Sequence, residues 1–290
     1  MSLESLTLNP ATLPSSASHL PVVAAELNYL VPMAEKPFSY TYEPPDGTPP
    51  YNATHEAKRV VIRNGRSQVA DLSLDREGFA LITQGSAVRN FYDPDEIRQA
   101  YYPEAERLVK AATGAAQVLV FDHNLRNAQQ AAGGVAGVRE PVKRVHNDFT
   151  AKSGYRRSRD ELAAIGVADP DALLQGRFSI INLWRPIAQP VQESPLAVCD
   201  ARSIAPEDWV ASDLIYRDRV GETYWTTYNP AHRWFYFPQL QPDEALLIKC
   251  FDSDPANPAR FTAHTAFDDP TSPPNAPPRS SIELRTLVIY

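Results

Sequence analysis

Cysteine, glycine and long apolar runs are scarce in this sequence of 290 residues. The two cysteines, Cys199 and Cys250, are too few for a disulfide framework or a thiolate zinc site, and they favour a reducing compartment. The apolar run at 245–248 is far shorter than the roughly 20 residues that cross a bilayer. The first residues lack the basic and apolar regions of a signal peptide. We therefore expect a soluble, cytoplasmic protein without a membrane partner.

Positive charge is also in short supply. Lys and Arg number 28 against 35 Asp and Glu, so the formal net charge is −7. Nucleic acids attract basic surfaces, so this acidic balance argues against a nucleic-acid partner. The expected partner is a small-molecule substrate. No pattern in the sequence indicates an oligomeric state.

Proline and aromatic residues are, by contrast, abundant, with 27 Pro, 13 Tyr and 11 Phe. Proline breaks helices and aromatic residues favour strands, so short strands and long loops are expected. Residues 93–114 have a helical pattern that Pro103 should kink, and a capping-box pattern predicts a short helix at 158–166. From 177 onwards, strand patterns alternate with Pro-rich connectors. The sequence predicts a mainly β fold with flanking helices, a double-stranded β-helix or jelly roll.

The chain is expected to divide after residue 58. Residues 1–58 are rich in Pro, Ser and Ala, which predicts an extended N-terminal arm packed on the core. Residues 59–290 are expected to form one jelly-roll domain with helical support and core strands at about 143–290. Within it, the Gly- and Ala-rich stretch 127–138 has no aromatic anchor. We interpret it as a mobile lid over a substrate mouth, with a passive surface connection as the alternative.

The triplet His146-Asn147-Asp148 is the first candidate site. Residues i and i+2 of a strand point to the same face, so the imidazole and the carboxylate lie side by side. With one more histidine they form a two-histidine, one-carboxylate triad, which suits non-haem Fe(II). The triplet alone is a weak signal, because a surface histidine beside a turn aspartate explains it equally well. His264, in a later strand pattern, is the candidate third ligand.

An Arg-x-Ser triplet, Arg279-Ser280-Ser281, enters the final strand. Arg279 and Ser281 share a strand face there. A guanidinium holds a carboxylate through two hydrogen bonds, and a hydroxyl adds another. These groups suit the distal carboxylate of 2-oxoglutarate, whose keto-acid end chelates iron. Arg285 lies on the same face and is the alternative for part of this role.

Six stretches of the chain carry a resemblance to a known family, namely 145–150, 182–186, 232–237, 249–253, 263–267 and 279–285. The chain resembles the Fe(II)/2-oxoglutarate-dependent oxygenases. Within them it is similar to the hydroxylase/desaturase group of fungal secondary metabolism, which is related to the cephamycin methoxylase subunit and to gibberellin-desaturase-like proteins.

The resemblance implies a double-stranded β-helix, an iron site of His146, Asp148 and His264, and 2-oxoglutarate held by Arg279. It further implies that O2 oxidises a small natural product or amino-acid derivative, with release of succinate and CO2. The outcome is hydroxylation, desaturation or oxidative ring closure.

Six more residues are candidates for the pocket, each with a structural alternative. Asn182 is a candidate for the metal-binding end of the cosubstrate, or it is a strand residue facing a turn. The candidates for substrate binding, or else for core packing and structural ion pairs, are Arg126, Trp184, Arg185, Tyr224 and Tyr228. His232 precedes an aromatic strand, which favours a packing role.

Two other functions remain open at this point. The cephamycin-related proteins act in pairs, so a non-catalytic jelly-roll partner subunit of a biosynthetic complex is the main alternative. A hydrolase built on a His/Asp pair is the other, although the sequence offers no positioned nucleophile.

Overall fold

The structure, a computed structural model, describes residues 21–290. The described strands are β1 (Val22–Leu30), β2 (Phe38–Tyr40), β3 (His55–Asn64), β4 (Phe79–Thr83), β5 (Gln117–Arg126), β6 (Val138–Arg139), β7 (His146–Asn147), β8 (Phe178–Pro186), β9 (Leu196–Cys199), β10 (Trp209–Ile215), β11 (Val220–Thr226), β12 (Trp234–Tyr236), β13 (Glu244–Asp252), β14 (His264–Ala266) and β15 (Ser281–Ile289). The described α-helices are α1 (Pro94–Glu96), α2 (Tyr102–Thr113), α3 (Ala128–Ala132), α4 (Ala151–Ala164) and α5 (Pro170–Leu173). Three short 3-10 helices lie at Gly65–Asp71, Ala201–Ser203 and Pro206–Asp208.

The strands form two sheets. The nine-stranded sheet has the order β1-β3-β12-β9-β14-β7-β11-β10-β2, and the six-stranded sheet has the order β4-β13-β8-β15-β5-β6. Most neighbouring strands are antiparallel. One core cluster joins the two sheets, with Ile180 and Ile248 of the smaller sheet packed among the same buried residues as Val198 and Phe235 of the larger one. This double-sheet arrangement confirms the predicted jelly roll.

Strand β8 is buried on both faces. Its side chains alternate between the space between the sheets and the opposite face. Ile180 and Trp184 belong to the core between the sheets. Ile181 and Leu183 belong to a second core, which the smaller sheet forms with α2. Burying each such side chain stabilises the fold by about 1.5–3 kcal/mol. Even-numbered residues of β8 therefore face the interior of the jelly roll, and odd-numbered ones face the helices.

The helical region predicted at 93–114 is present. Asp93 caps α1, a π-helical segment (Ile97–Tyr101) precedes α2, and α2 ends at Gly114, whose φ of 68° is left-handed. Pro103 lies in the first turn of α2, directly after the π-helical segment, because its ring lacks the N–H of a regular helix.

The helix predicted at 158–166 was wrong in its start. The capping box that begins α4 is made by Thr150 and Ser153, so Ser158 lies inside the helix. At 14 residues α4 is the longest described α-helix. None of the helices between residues 21 and 290 has the length and apolar character that crossing a membrane demands.

The segment predicted as an N-terminal arm contributes strands to the larger sheet in its described part. β1 pairs with β3 over nine residues, from Val22 opposite Arg63 to Leu30 opposite His55. Alternate β1 side chains are buried, as a strand of a half-buried sheet requires. The predicted boundary after residue 58 falls inside β3. Residues 1–20 of the predicted arm lie outside the described residues, and the single domain at 59–290 stays a prediction.

Candidate functional site

Strand pairing brings the two candidate histidines together. β7 lies between β14 and β11, with His146 directly opposite His264 on one side and Trp225 on the other. Directly paired residues share a sheet face, so the three rings point to the same side. The two imidazole centroids are 4.4 Å apart. Asp148 follows two residues after His146 and reaches the same point.

The three side chains fit a divalent metal. The Nε2 atoms of His146 and His264 lie 3.6 Å and 4.0 Å from Oδ1 of Asp148. Each Nδ1 lies beside a backbone carbonyl, at 2.7 Å from O of Arg144 and 3.3 Å from O of Thr262. Each Nδ1–H therefore donates a hydrogen bond to the carbonyl, which leaves the Nε2 lone pair free to bind a metal. Between residues 21 and 290 this is the one such group of three or more His, Cys, Asp or Glu side chains.

The protonation states also suit a metal. Burial and the nearby His264 lower the pKa of His146 to about 3, so its imidazole is neutral at physiological pH. Burial raises the pKa of Asp148, but the Arg285 guanidinium and the hydrogen bond from Asn182 outweigh it and hold that pKa well below its usual range. Neutral imidazole and ionised carboxylate are the forms that bind metal ions.

The second oxygen of Asp148 is held by two residues that had been predicted to bind cosubstrate. Asn182 Nδ2 donates to Oδ2 at 2.7 Å, and Arg285 Nε donates to it at 2.9 Å. The remaining Arg285 nitrogens donate to Asp122 and Glu283, at 3.0 Å and 3.2 Å. These contacts occupy the Arg285 guanidinium. We therefore infer that Arg285 and Asn182 hold the metal ligand Asp148 in place. Binding of 2-oxoglutarate by these two residues stays a prediction, and these contacts favour the supporting role instead.

Arg279 is a buried cation whose guanidinium no side-chain carboxylate contacts within the described residues, with Glu193 and Glu283 acting on its charge only from a distance. It is 3% exposed and forms no ion pair there, its Nη1 donating to the carbonyl of Ser194. Its guanidinium lies 5.3 Å from the Trp184 ring centroid. Burial lowers its pKa to about 9. Its Nε and the hydroxyl of Ser281 are both buried without a hydrogen-bond partner in the described chain.

Arg279 adjoins a small cavity at the histidines. Its walls include His146, His264, Trp184, Arg126 and Arg279. A carboxylate bound here would satisfy the buried guanidinium, which is costly to leave unpaired. The Arg279 guanidinium beside the two histidines has the chemistry that the distal carboxylate of 2-oxoglutarate needs, but this cavity measures about 20 Å3 and is smaller than the cosubstrate, so the roles of Arg279 and Ser281 stay a prediction.

A larger cavity opens on the other side of His146 and Asp148. It measures about 860 Å3. Arg126, a predicted substrate residue, lines both this cavity and the smaller one. Sequence reasoning missed another residue of its wall, Arg144. Arg144 precedes His146 by two positions, and the alternation of a strand was the signal that could have found it.

Three predicted substrate residues lie elsewhere. Tyr224 is paired with Asn147 and so faces away from His146, against Trp209 and Phe261. Tyr228 is 38% exposed and packs edge-on against Tyr29. Neither residue lines either cavity at the histidines, and substrate binding by Tyr224 and Tyr228 stays a prediction.

Arg185 is the third. As an odd-numbered residue of β8, Arg185 faces the helices. Its guanidinium lies 5.4 Å from the Tyr101 ring centroid there. Its Nη2 donates to the carbonyl of Gln84. Substrate in the large cavity is out of its reach, because the sheet itself lies between them.

His232 has the packing role expected of it. Its Nδ1 lies 3.0 Å from the Tyr29 hydroxyl, and its Nε2 lies 3.1 Å from Asp208 Oδ2. Both ring nitrogens are thus satisfied within the core, and nothing is left to bind a metal.

Comparison with known proteins agrees with this geometry. The family model described as YDMC, Oxidoreductase/YMDC permease-like domain, matches residues 27–289. Hydroxylase/desaturase efuI of Hormonema carpetanum is 31% identical, over 95% of this chain and 98% of its own length. Alpha-ketoglutarate-dependent dioxygenase phiK of a fungal species is 30% identical, over 81% and 85%. The solved structure of the iron and alpha-ketoglutarate-dependent endoperoxidase NvfI is similar with a TM-score of 0.84 and 26% identity, over 93% of this chain and 98% of that one.

Proposed function

We infer the reaction of this chain from its family, because the chain belongs to the hydroxylase/desaturase group of Fe(II)/2-oxoglutarate-dependent dioxygenases. It uses Fe(II), 2-oxoglutarate and O2 to oxidise a small natural product or amino-acid derivative, and it releases succinate and CO2. The observation that carries this proposal is the juxtaposition of the His146, Asp148 and His264 ligand atoms with the unpaired Arg279. The similar proteins are named as enzymes, so they give no support to a non-catalytic partner subunit.

The metal ligands and the cosubstrate residues have separate tasks. His146, Asp148 and His264 would hold the iron, and Arg279 with Ser281 would hold the distal carboxylate of 2-oxoglutarate. Bound iron supplies the activation of O2 by oxidative decarboxylation of 2-oxoglutarate, followed by oxidation of the substrate.

The chain's own contribution is orientation and exclusion of water. Asn182 and Arg285 fix Oδ2 of Asp148, so Oδ1 is the oxygen turned to the histidines. Apolar walls of the smaller cavity shield the cosubstrate side from water, and they are formed by Val142, Leu196 and Ala266. An ion pair in such surroundings is stronger than one in water.

Metal dependence tests the proposal directly. Without substrate, the Fe(II)-loaded enzyme should convert 2-oxoglutarate slowly to equal amounts of succinate and CO2. A chelator should stop this conversion, Fe(II) should restore it, and Zn(II) should not, because Zn(II) has no redox chemistry. Conversion that persists in the metal-free protein would contradict the assignment.

Arg285→Gln should weaken iron binding more than cosubstrate binding. The substitution removes the cation that holds Asp148, and changes to such supporting residues typically cost 10–100-fold in metal affinity. We therefore expect the Fe(II) dissociation constant to rise by about that factor, measured anaerobically by titration. The apparent constant for 2-oxoglutarate at saturating Fe(II) should change little.

Arg285→Lys is the matched variant, because it keeps the charge and should recover part of the affinity. A large loss of 2-oxoglutarate affinity with unchanged iron binding would return Arg285 to the cosubstrate site.

The stretch 127–138 remains our candidate lid. It is not structureless, since it contains α3, capped by Asn127. Asn127 Nδ2 donates to the hydroxyl of Ser280 at 2.7 Å, which ties the base of the stretch to the strand that follows Arg279. Gly137 and Arg139 line the larger cavity. A segment so placed is positioned to close over a bound substrate.

Deleting residues 134–136 tests the lid. With an oxidisable substrate present, the variant should form succinate in excess of oxidised product, because water reaches the reacting centre. The ratio of the two products is the measurement. An unchanged ratio together with unchanged substrate affinity would leave only the passive connection.

A further inference from the structure

The wall of the larger cavity is rich in positive charge, although the chain as a whole is acidic. The whole sequence carries a formal net charge of −7, yet only two of the described acidic residues line this cavity, Asp122 and Asp148. Both contact Arg285, at 3.0 Å and 2.9 Å. Four more arginines line the same cavity, at positions 126, 139, 144 and 219.

Arg144 is half-buried and lies just before β7. It lies two residues before His146, and its own carbonyl accepts the hydrogen bond from Nδ1 of that histidine. Its guanidinium lies 5.4 Å from the ring centroid of Trp225, the residue paired with His146. Within residues 21–290 Arg144 makes no ion pair with a carboxylate, whereas its neighbour Lys143 pairs with Asp268 at the exposed surface.

The other three arginines are held or placed differently. Arg219 pairs with Asp218 at 3.4 Å, and both side chains are exposed. Arg139 is exposed at the rim. Arg126 donates to the carbonyl of Glu140 and lies between the two cavities. Arg144 is therefore the half-buried arginine of this wall whose guanidinium forms neither an ion pair nor a hydrogen bond within residues 21–290.

We propose that the substrate of this enzyme is a carboxylate-bearing small molecule whose carboxylate pairs with Arg144. The inference deepens the proposed function and rests on it. A planar guanidinium stacked on an indole offers its edge to a planar group with two oxygens, which favours a carboxylate. The cavity of about 860 Å3 is within the range that holds drug-sized ligands. Apolar contact to the rest of the molecule comes from Trp225, Leu214 and Tyr216.

Matched acids and amides test the proposal. The probes are the C4 to C10 phenylalkanoic acids and their primary amides, which differ only in the charge of the terminal group. The enzyme is loaded with Mn(II) in place of iron and saturated with 2-oxoglutarate, so that the cosubstrate site is filled. Paramagnetic relaxation of the probe protons then gives each dissociation constant. The variants are Arg144→Gln, Arg144→Lys and, as a control on an exposed arginine outside the cavity, Arg59→Gln.

In the wild type and in Arg59→Gln, the best acid should bind about tenfold to a hundredfold more tightly than its amide. The preference should fall to near one in Arg144→Gln and return in part in Arg144→Lys. Equal binding of acid and amide by the wild type overturns the proposal, as does binding of neither. A preference that survives in Arg144→Gln overturns it too. Failure of the wild type to bind Mn(II) overturns the proposed function instead, and it is seen separately in the spectrum of free Mn(II).

Discussion

Alanine at position 146, 148 or 264 is expected to abolish 2-oxoglutarate turnover. Each of these residues supplies one of three ligand atoms that lie within 4.8 Å of one another. A bound metal contributes several kcal/mol to such reactions, so losing it costs on the order of a thousandfold or more in rate. Succinate formation and iron content, measured together after anaerobic reconstitution, should both fall.

The fold should survive these substitutions. Without Asp148, Arg285 keeps its contacts with Asp122 and Glu283, so no buried cation is stranded. Asp268→Ala is the matched control, because that carboxylate is 80% exposed and its one ion pair in the described chain is with Lys143. It should leave iron content and turnover at wild-type levels. Any single ligand variant that keeps near-wild-type turnover removes that residue from the ligand set.

Arg279→Met should raise the apparent constant for 2-oxoglutarate by about tenfold to a hundredfold. A charge-assisted contact with a carboxylate contributes about 1.5–3 kcal/mol, and methionine keeps the length of the side chain without the charge. Initial rates of succinate formation over a range of 2-oxoglutarate concentrations measure this. Ser281→Ala should have a smaller effect, because it removes one hydrogen bond from an uncharged donor, whereas Arg279→Met removes a cation.

Arg279→Met should not destabilise the fold. Arg279 is buried, has an unpaired Nε and forms no ion pair within the described chain, so its charge is a cost of folding. The melting temperature of the ligand-free Arg279→Met protein should equal or exceed that of the wild type. A lower melting temperature with unchanged 2-oxoglutarate affinity would make Arg279 a structural residue.

Local alternation predicted the parts of the site that lie along one strand. Arg279, Ser281 and Arg285 share their parity, and His146 and Asp148 share theirs. The same rule places Trp184 and Arg185 on opposite faces of β8, and only Trp184 reaches the cavity. Neighbouring positions of one strand cannot both face a substrate, so parity alone allowed at most one of these two candidates.

Pairing between distant strands could not be read from the sequence. His146 meets His264 and Trp225 because β7 lies between β14 and β11, an arrangement set by packing over the whole jelly roll. The register that places Arg285 opposite Asn182, with both on Asp148, is of the same kind. For this reason the metal ligands were predicted from motifs, but the residues that orient Asp148 were assigned to the cosubstrate.

The N-terminal strand was missed for a local reason. Strand β1 buries Val23, Ala25, Leu27 and Tyr29, but two alanines and a glutamate weaken the contrast between its faces. Its partner β3 starts only after a Pro-rich connection. The Pro, Ser and Ala content of residues 1–58 therefore led to the prediction of an arm, because the alternation of apolar residues in β1 is weak.

The contact between Arg285 and Asp148 joins residues that are 137 positions apart. A ribosome synthesising this chain thus makes the first two ligand residues long before the groups that orient and complete the site. A nascent chain stopped before β14 lacks one ligand, and one stopped before β15 has no cation for the carboxylate. The third ligand and the cation on Asp148 are therefore added only when the last two strands, β14 and β15, have been made.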